Sequence, residues 1–155
     1  MVPVLFWRLL HIFFAFGFVG TLIVSDWNSR AARATQDWRE RALLWGIVRR
    51  AAGVGLGTLV VLGVFGNLLL PRLGYRFSAD TWPRWVNGLW LLGLVFQGLL
   101  IAPGAARLAG LATAGAAGGA TEPYAAVLKR WRLSNVAQSV LYLALLVLMV
   151  FHWRS

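Results

Sequence analysis

Few side chains in this sequence can do acid–base, nucleophilic or metal chemistry, and where they fall matters more than how many there are. The chain has five acids, two histidines and no cysteine. Asp26, Asp37, Glu40, Asp80 and Glu122 all stand in or beside polar stretches. None lies within a long apolar run, and no two are spaced for general acid–base work. No Ser–His–Asp arrangement fits inside an apolar segment. Without cysteine there is no disulfide framework, thiolate metal site or thiol nucleophile. The run Gly53-Val54-Gly55-Leu56-Gly57 lacks the Lys-Ser/Thr of a phosphate loop and is itself embedded in apolar sequence. Ion-coupled carriers place a carboxylate at mid-membrane depth, and this chain has none to place there.

What remains is one histidine and a set of amides. His11 lies about two turns into the first apolar run, and an ionisable group there is a functional hypothesis by default. A neutral imidazole ligates haem iron or copper. Arg8, one turn earlier on the same helical face, is placed to meet a haem propionate at the membrane boundary. The plainer reading gives His11 a hydrogen bond to a neighbouring helix and lets Arg8 snorkel to the headgroups. His152 ends the last apolar run, at a different depth from His11. This disfavours a shared two-histidine site and makes His152 an interfacial neighbour of Trp153 and Arg154. At about 100° per residue, Asn135, Gln138, Ser139 and Tyr142 form one polar stripe continued by Met149; Asn87, Trp90 and Gln97 share a comparable sector upstream. Such stripes either hydrogen-bond across a bundle or line a quinone, lipid or cofactor pocket, with Asn135, Gln138 and Tyr142 as the pocket residues.

Composition dictates what positions these groups. The 155 residues are 59% hydrophobic and only 13% charged. Soluble domains carry roughly 25% charged residues, so this chain cannot cover a water-facing surface. Its aromatic content, 14%, excludes disorder. Four apolar segments run over residues 4–24, 51–70, 86–102 and 133–151. Each comes close to the length of about 20 residues that crosses a bilayer, and in hydrocarbon each must be a helix. The expected fold is a single all-α domain, a polytopic membrane protein with four transmembrane helices in an antiparallel bundle. Residues 25–50 and 103–132 become the long loops. Asp80 and Pro83 mark the start of the third helix, and Pro103-Gly104 a kink within its continuation through Ala112. Residues 113–121 read as flexible loop, and 35–50 and 124–132 as amphipathic lead-ins. Gly53 and Gly57, with Gly46 on the same face, suggest helix packing within the bundle or docking to a partner.

Basic residues orient the bundle. The formal charge is +10. The two long loops hold Arg30, Arg33, Arg39, Arg41, Arg49, Arg50, Arg107, Lys129, Arg130 and Arg132, against Arg8, Arg72, Arg76, Arg84 and Arg154 elsewhere. The positive-inside rule then puts both loops in the cytoplasm and both termini outside. Tryptophans fall into an outer belt (Trp7, Trp82, Trp85, Trp153) and an inner one (Trp27, Trp38, Trp45, Trp131), with Trp90 inside a span. Arg49, Arg50, Arg130, Arg132, Trp27 and Trp131 are the expected contacts with the lipid bilayer, at about 1 kcal/mol per basic residue near anionic lipids. The charge therefore needs no nucleic acid partner. The first span lacks a basic n-region and an A-x-A site, so it is expected to stay in the mature chain.

The segment Leu10-His11-Ile12-Phe13-Phe14-Ala15-Phe16-Gly17-Phe18-Val19-Gly20 resembles the first helix of a group of small four-helix bacterial membrane proteins. The group comprises an uncharacterised integral membrane family, the membrane domain of copper-resistance protein D, and the four-helix membrane protoporphyrinogen oxidase. The likeness continues through Arg49-Arg50, Pro103 with Arg107 after it, and the lead-in from Tyr124 to Arg132. It implies a bacterial inner (cytoplasmic) membrane and, from the oxidase relatives, haem b on a first-helix histidine that His11 matches. Those relatives also carry a third-helix lysine and a Pro-Arg-Leu-type motif. This chain has Lys129 as its only lysine and Val24-Ser25-Asp26-Trp27 after the first helix, so it is most similar to the uncharacterised family. Two functions are therefore expected. One is a non-catalytic integral membrane subunit or assembly factor of a larger respiratory or photosynthetic complex, with other membrane subunits as partners. The alternative is a haem-b-binding redox protein with His11 as axial ligand.

Overall fold

Hydrocarbon offers a backbone no partners but its own, so an apolar run closes its hydrogen bonds locally as a helix. The computed structural model describes residues 3–119 and 121–150. The expectations placed on His152, Trp153 and Arg154 lie outside the described residues. Helix α1 is Val4–Ala34 and α2 is Trp38–Leu69, followed by a single 3-10 turn, Pro71–Leu73. Helix α3, Thr81–Val95, passes through a π-helical stretch, Phe96–Ile101, straight into α4, Ala102–Ala116. Helix α5 is Tyr124–Val150. Four helical units, with α3, the π stretch and α4 counted as one, are long and apolar enough to cross a membrane. No strand occurs among the described residues. The protein is an all-α, multi-pass membrane bundle.

The helices outrun the membrane. Units of 27 to 36 residues measure about 40–55 Å at ~1.5 Å per residue. The hydrocarbon is only about 30 Å thick. Most of residues 25–50 and 103–132, which lie between the apolar segments, is accordingly helix: the lead-ins 38–50 and 124–132 and the continuation to Ala112 as expected, and 25–34 and 113–116 in place of loop. These stretches are helical extensions joined by short connections at 35–37 and 117–123. On α1, Ser25, Ser29 and Ala32 recur on one face, and these small side chains bring α1 close against α2. Asp37 caps α2 by accepting from the Arg39 amide at 2.9 Å. Arg41 clasps the turn from within, donating to the Ala32 carbonyl at 3.1 Å and to Thr35 O. Its guanidinium lies 4.2 Å from the Trp38 ring centroid and 5.3 Å from that of Tyr124.

The extensions build a core of their own. Trp45 and Trp131 meet edge to face at 5.0 Å between centroids. Ala32, Val48, Ala52, Ile101, Ala105, Leu108, Ala109 and Ala112 surround them. Trp45 is 0% and Trp131 3% exposed, so neither stands in a lipid belt, contrary to the expectation from tryptophan position. The cause is the alanine face of α4, too shallow to fill the space unless an indole enters it. Gly104 completes the fit, because a Cβ there would come 2.8 Å from Trp131 Cδ1. Trp27, by contrast, is 75% exposed, as a boundary residue should be.

Two further expectations, the inward face of Gly46, Gly53 and Gly57 and a loop starting at residue 113, are corrected. Gly46, Gly53 and Gly57 meet nothing within 4 Å and do not pack inside the bundle. The inward face of α2 is Ala51, Ala52, Gly55, Leu59, Leu62 and Gly63. Asp80 occupies the N-cap position of α3 but does not cap it, since its carboxylate accepts from the Arg76 amide at 2.6 Å. The third helix continues past Pro103, as expected. Proline has no N–H, and the π stretch absorbs the mismatch by shifting the ladder one residue, with Ala102 N–H bonding Gln97 O. The small-residue run after it remains helical as far as Ala116, where Gly118 at φ 78° turns the chain.

Along α2 the bundle divides in two. Helix α2 lies extensively against α4 but only lightly against α3. The half holding Trp45 and Trp131 is thus closed, and the half holding His11 is splayed. The closed half bears Arg30, Arg39, Arg49, Arg50, Arg107, Lys129, Arg130 and Arg132 on exposed positions. The one ion pair among the described residues is Arg30–Asp26, at 2.9 Å. So many cations, with only Arg30 in an ion pair, cannot sit in hydrocarbon, so the closed half stands at or beyond the membrane boundary.

Candidate functional site

In the membrane half, side chains from two neighbouring helical units are tied to the backbone carbonyls of α2. A helical carbonyl keeps a second lone pair after its ladder bond, so it can accept again. Trp90 Nε1 donates to Leu59 O at 2.9 Å and Gln97 Nε2 to Ala52 O at 2.8 Å. The donors are seven residues apart and so are the acceptors, the register of two antiparallel helices meeting every second turn. From the other side, His11 Nδ1 bonds Leu62 O at 3.1 Å. Glycines make room for these side chains. A Cβ on Gly66 would come 3.1 Å from His11 Cε1, one on Gly55 3.3 Å from Gln97 Nε2, and one on Gly63 would overlap the Trp90 indole.

The polar stripe of α5 splits between two places. Gln138, 2% exposed, donates to Gln97 Oε1 and, at 2.7 Å, to the Tyr142 hydroxyl. Tyr142 in turn reaches Gly93 O at 3.4 Å. Gln97, Gln138 and Tyr142 therefore form one buried chain that links α5 through α3 to α2. Asn135 is not part of it. With Ser139 it lines a separate groove of about 270 Å³ beside Asp26 and Trp27. The expected pocket of Asn135, Gln138 and Tyr142 is thus not assembled, because α5 turns its 138–142 edge inward and its 135–139 edge toward α1.

The larger cavity lies elsewhere, in the splay between α1, α2, α3 and α5. It encloses about 460 Å³. Its wall is almost wholly aliphatic and aromatic, with polar side chains from His11, Asn67, Asn87 and the indoles Trp82 and Trp90, and with Met149 on the α5 side. Asn67 Nδ2 donates to Gly63 O at 2.9 Å and to Asn87 Oδ1 at 2.7 Å, while Asn87 Nδ2 donates to Pro83 O at 2.9 Å. The two indole N–H groups donate to Leu59 O and Leu148 O, both at 2.9 Å. Sequence reasoning found His11 but passed over Asn67, whose signal was present as the one amide in an uncharged apolar run. Arg8 is exposed and does not line the cavity.

The geometry at His11 fixes its tautomer. A carbonyl can only accept, so Nδ1 carries the proton donated to Leu62 O, and Nε2 of the neutral ring keeps its lone pair. This is the arrangement by which a backbone carbonyl orients a metal-ligating histidine. Haem b makes a second demand, cations for its propionates. None of the described cavity-lining residues is Arg or Lys, so the lining as a whole does not fit that group. Among the described residues no three His, Cys, Asp or Glu side chains gather into a metal site. Comparison of the chain with family models, with curated proteins and with solved structures finds no match.

Proposed function

We propose that the protein is a non-catalytic integral membrane subunit or assembly factor of a larger membrane complex, respiratory or photosynthetic, and that its splayed half holds a small apolar molecule. The carrying observation is the division of the bundle. One half is closed over its own tryptophan–alanine core, and the other is held apart around a cavity of about 460 Å³. The intramembrane amides brace helices against one another rather than converging on a reacting centre. In this reading the bundle lies in a bacterial inner membrane with the closed half in the cytoplasm. There the exposed Arg49, Arg50, Arg130 and Arg132 contact anionic headgroups, and both termini are outside.

The absence of native cysteine makes the orientation simple to measure. Ser78 and Ala117 are exposed in connections at opposite ends. A membrane-impermeant maleimide should label Ser78→Cys in intact spheroplasts and Ala117→Cys only after permeabilisation. The reverse pattern overturns the assignment. For the subunit reading, membranes solubilised in a mild detergent and run on a native gel should show the chain in a band far above its own mass. Migration of the whole population as a free 155-residue chain would refute it. A second reading, b-type haem on His11, has the free Nε2 in its favour and the lack of any Arg or Lys among the described lining residues against it. It requires a Soret band in the purified protein that disappears in His11→Ala, and a colourless protein eliminates it.

A further inference from the structure

The cavity wall presents two open hydrogen-bond acceptors and one spare amide N–H, and this restricts what can occupy it. The amide orientations are set by carbonyls. Gly63 O and Pro83 O can only accept, so the atoms facing them are Asn67 Nδ2 and Asn87 Nδ2. Asn87 Oδ1 is then taken by Asn67, whose two N–H groups are both committed, while Asn87 Nδ2 keeps one N–H beyond its bond to Pro83 O. The indole N–H groups of Trp82 and Trp90 are committed to Leu148 O and Leu59 O. His11 Nδ1–H is committed to Leu62 O. Two lining atoms have no donor facing them among the described residues: His11 Nε2 and Asn67 Oδ1. No Arg, Lys, Asp or Glu is present among the described lining residues, so a phosphate or carboxylate head would find no countercharge.

We infer that the cavity binds a neutral, membrane-soluble molecule headed by a hydroxyl, a phenol, quinol or alcohol on an apolar body, whose O–H donates to His11 Nε2 or Asn67 Oδ1. A ketone, quinone or ester head can accept from the spare Asn87 N–H but has nothing to donate, so it leaves His11 Nε2 and Asn67 Oδ1 unsatisfied, whereas a hydroxyl can do both. His11 is half-buried and Asn67 exposed, so the cost of an unmade hydrogen bond falls chiefly at His11 Nε2 once a ligand covers it, and a site built to receive an O–H rejects the analogue that lacks one. Selectivity for the reduced over the oxidised form of a quinone-type ring follows from the same arrangement. The inference rests on the reading of the cavity as a ligand site, and the test separates the two.

The probes are a prenylated phenol and its methyl ether, titrated calorimetrically into the protein in nanodiscs, with empty nanodiscs as the blank. The phenol should bind roughly tenfold more tightly than the ether, the factor that one lost hydrogen bond of this kind supplies. Equal binding of the two overturns the hydroxyl inference and leaves the cavity reading standing. Binding of neither overturns both. This comparison uses the unaltered protein and needs no variant to fold. His11→Phe and Asn67→Leu, checked for unchanged helical content and elution volume, should each reduce the phenol-to-ether ratio. An undiminished ratio in both variants also overturns the assignment to these two atoms.

Discussion

Replacing Trp131 with alanine should destabilise the bundle by about 3–5 kcal/mol, the cost of emptying an indole from a core. The indole is 3% exposed, stands edge-on to Trp45 at 5.0 Å, and donates to Ile101 O at 3.2 Å. Its core cluster takes Ala105, Leu108, Ala109 and Ala112 from α4, and the three alanines have no reach with which to collapse into the space. Trp45 would lose an aromatic partner worth about 0.5–1.5 kcal/mol beyond its area. Ile101 O, the last carbonyl of the π stretch, would lose the donor that straps α5 to the third helix. Reversible unfolding in mixed micelles measures the change. An effect below about 1 kcal/mol, the range of an exposed residue, would return Trp131 to the lipid belt where its sequence position alone puts it.

The second large effect is expected at Gly63. Any side chain there overlaps the Trp90 indole, so Gly63→Val must drive the ring off Leu59 O. Overpacking costs about 1–3 kcal/mol. The lost interhelical bond adds about 0.6 kcal/mol, the average for such bonds in membrane bundles. Trp90 also lines the cavity, so phenol binding should weaken in the same variant. The controls are Gly53→Ala and Gly57→Ala, whose added methyls meet nothing within 4 Å. Each should shift stability by no more than about 0.5 kcal/mol. Equal losses at positions 57 and 63 would contradict this inward face of α2.

That contrast shows where sequence stops being informative. A chain with 17 glycines offers many close-approach motifs, and the GxxxG of Gly53 and Gly57 is the most visible. Which glycines face inward depends on the rotation of α2 against two neighbours, and one helix does not encode that. The four spans were legible because hydropathy reports contact with lipid directly. Of their extensions, 38–50 and 124–132 were legible as helical lead-ins, but 25–34 was not, because it is amphipathic and buries only one face, which reads equally well as loop. Tryptophan position misled for a related reason, since an indole suits both a headgroup belt and a small-residue core with a hydrogen bond to spare. The polar stripes were legible as stripes, and Gln97 does meet Gln138. That Asn135 leaves the stripe, and that Asn67 joins His11 at a cavity, depends on the splay of α3 from α2. That splay follows from bulky Trp90 wedged where α4 offers alanine.

The clasp at residues 35–37 bears on how the protein is made. Helices α1 and α2 share the largest interface in the bundle, and Arg41, Asp37 and Thr35 tie their turn without help from later elements except the Tyr124 ring. N-terminal elements emerge from the ribosome first. The first 70 residues can therefore insert and close as a hairpin before α3 is synthesised. The carbonyls of Ala52, Leu59 and Leu62 already form a fixed row by then, and His11 takes the last of them from within the same hairpin. Trp90 and Gln97 arrive later onto acceptors already in place. Biogenesis thus runs as templated docking, and the membrane half of α2 is the template.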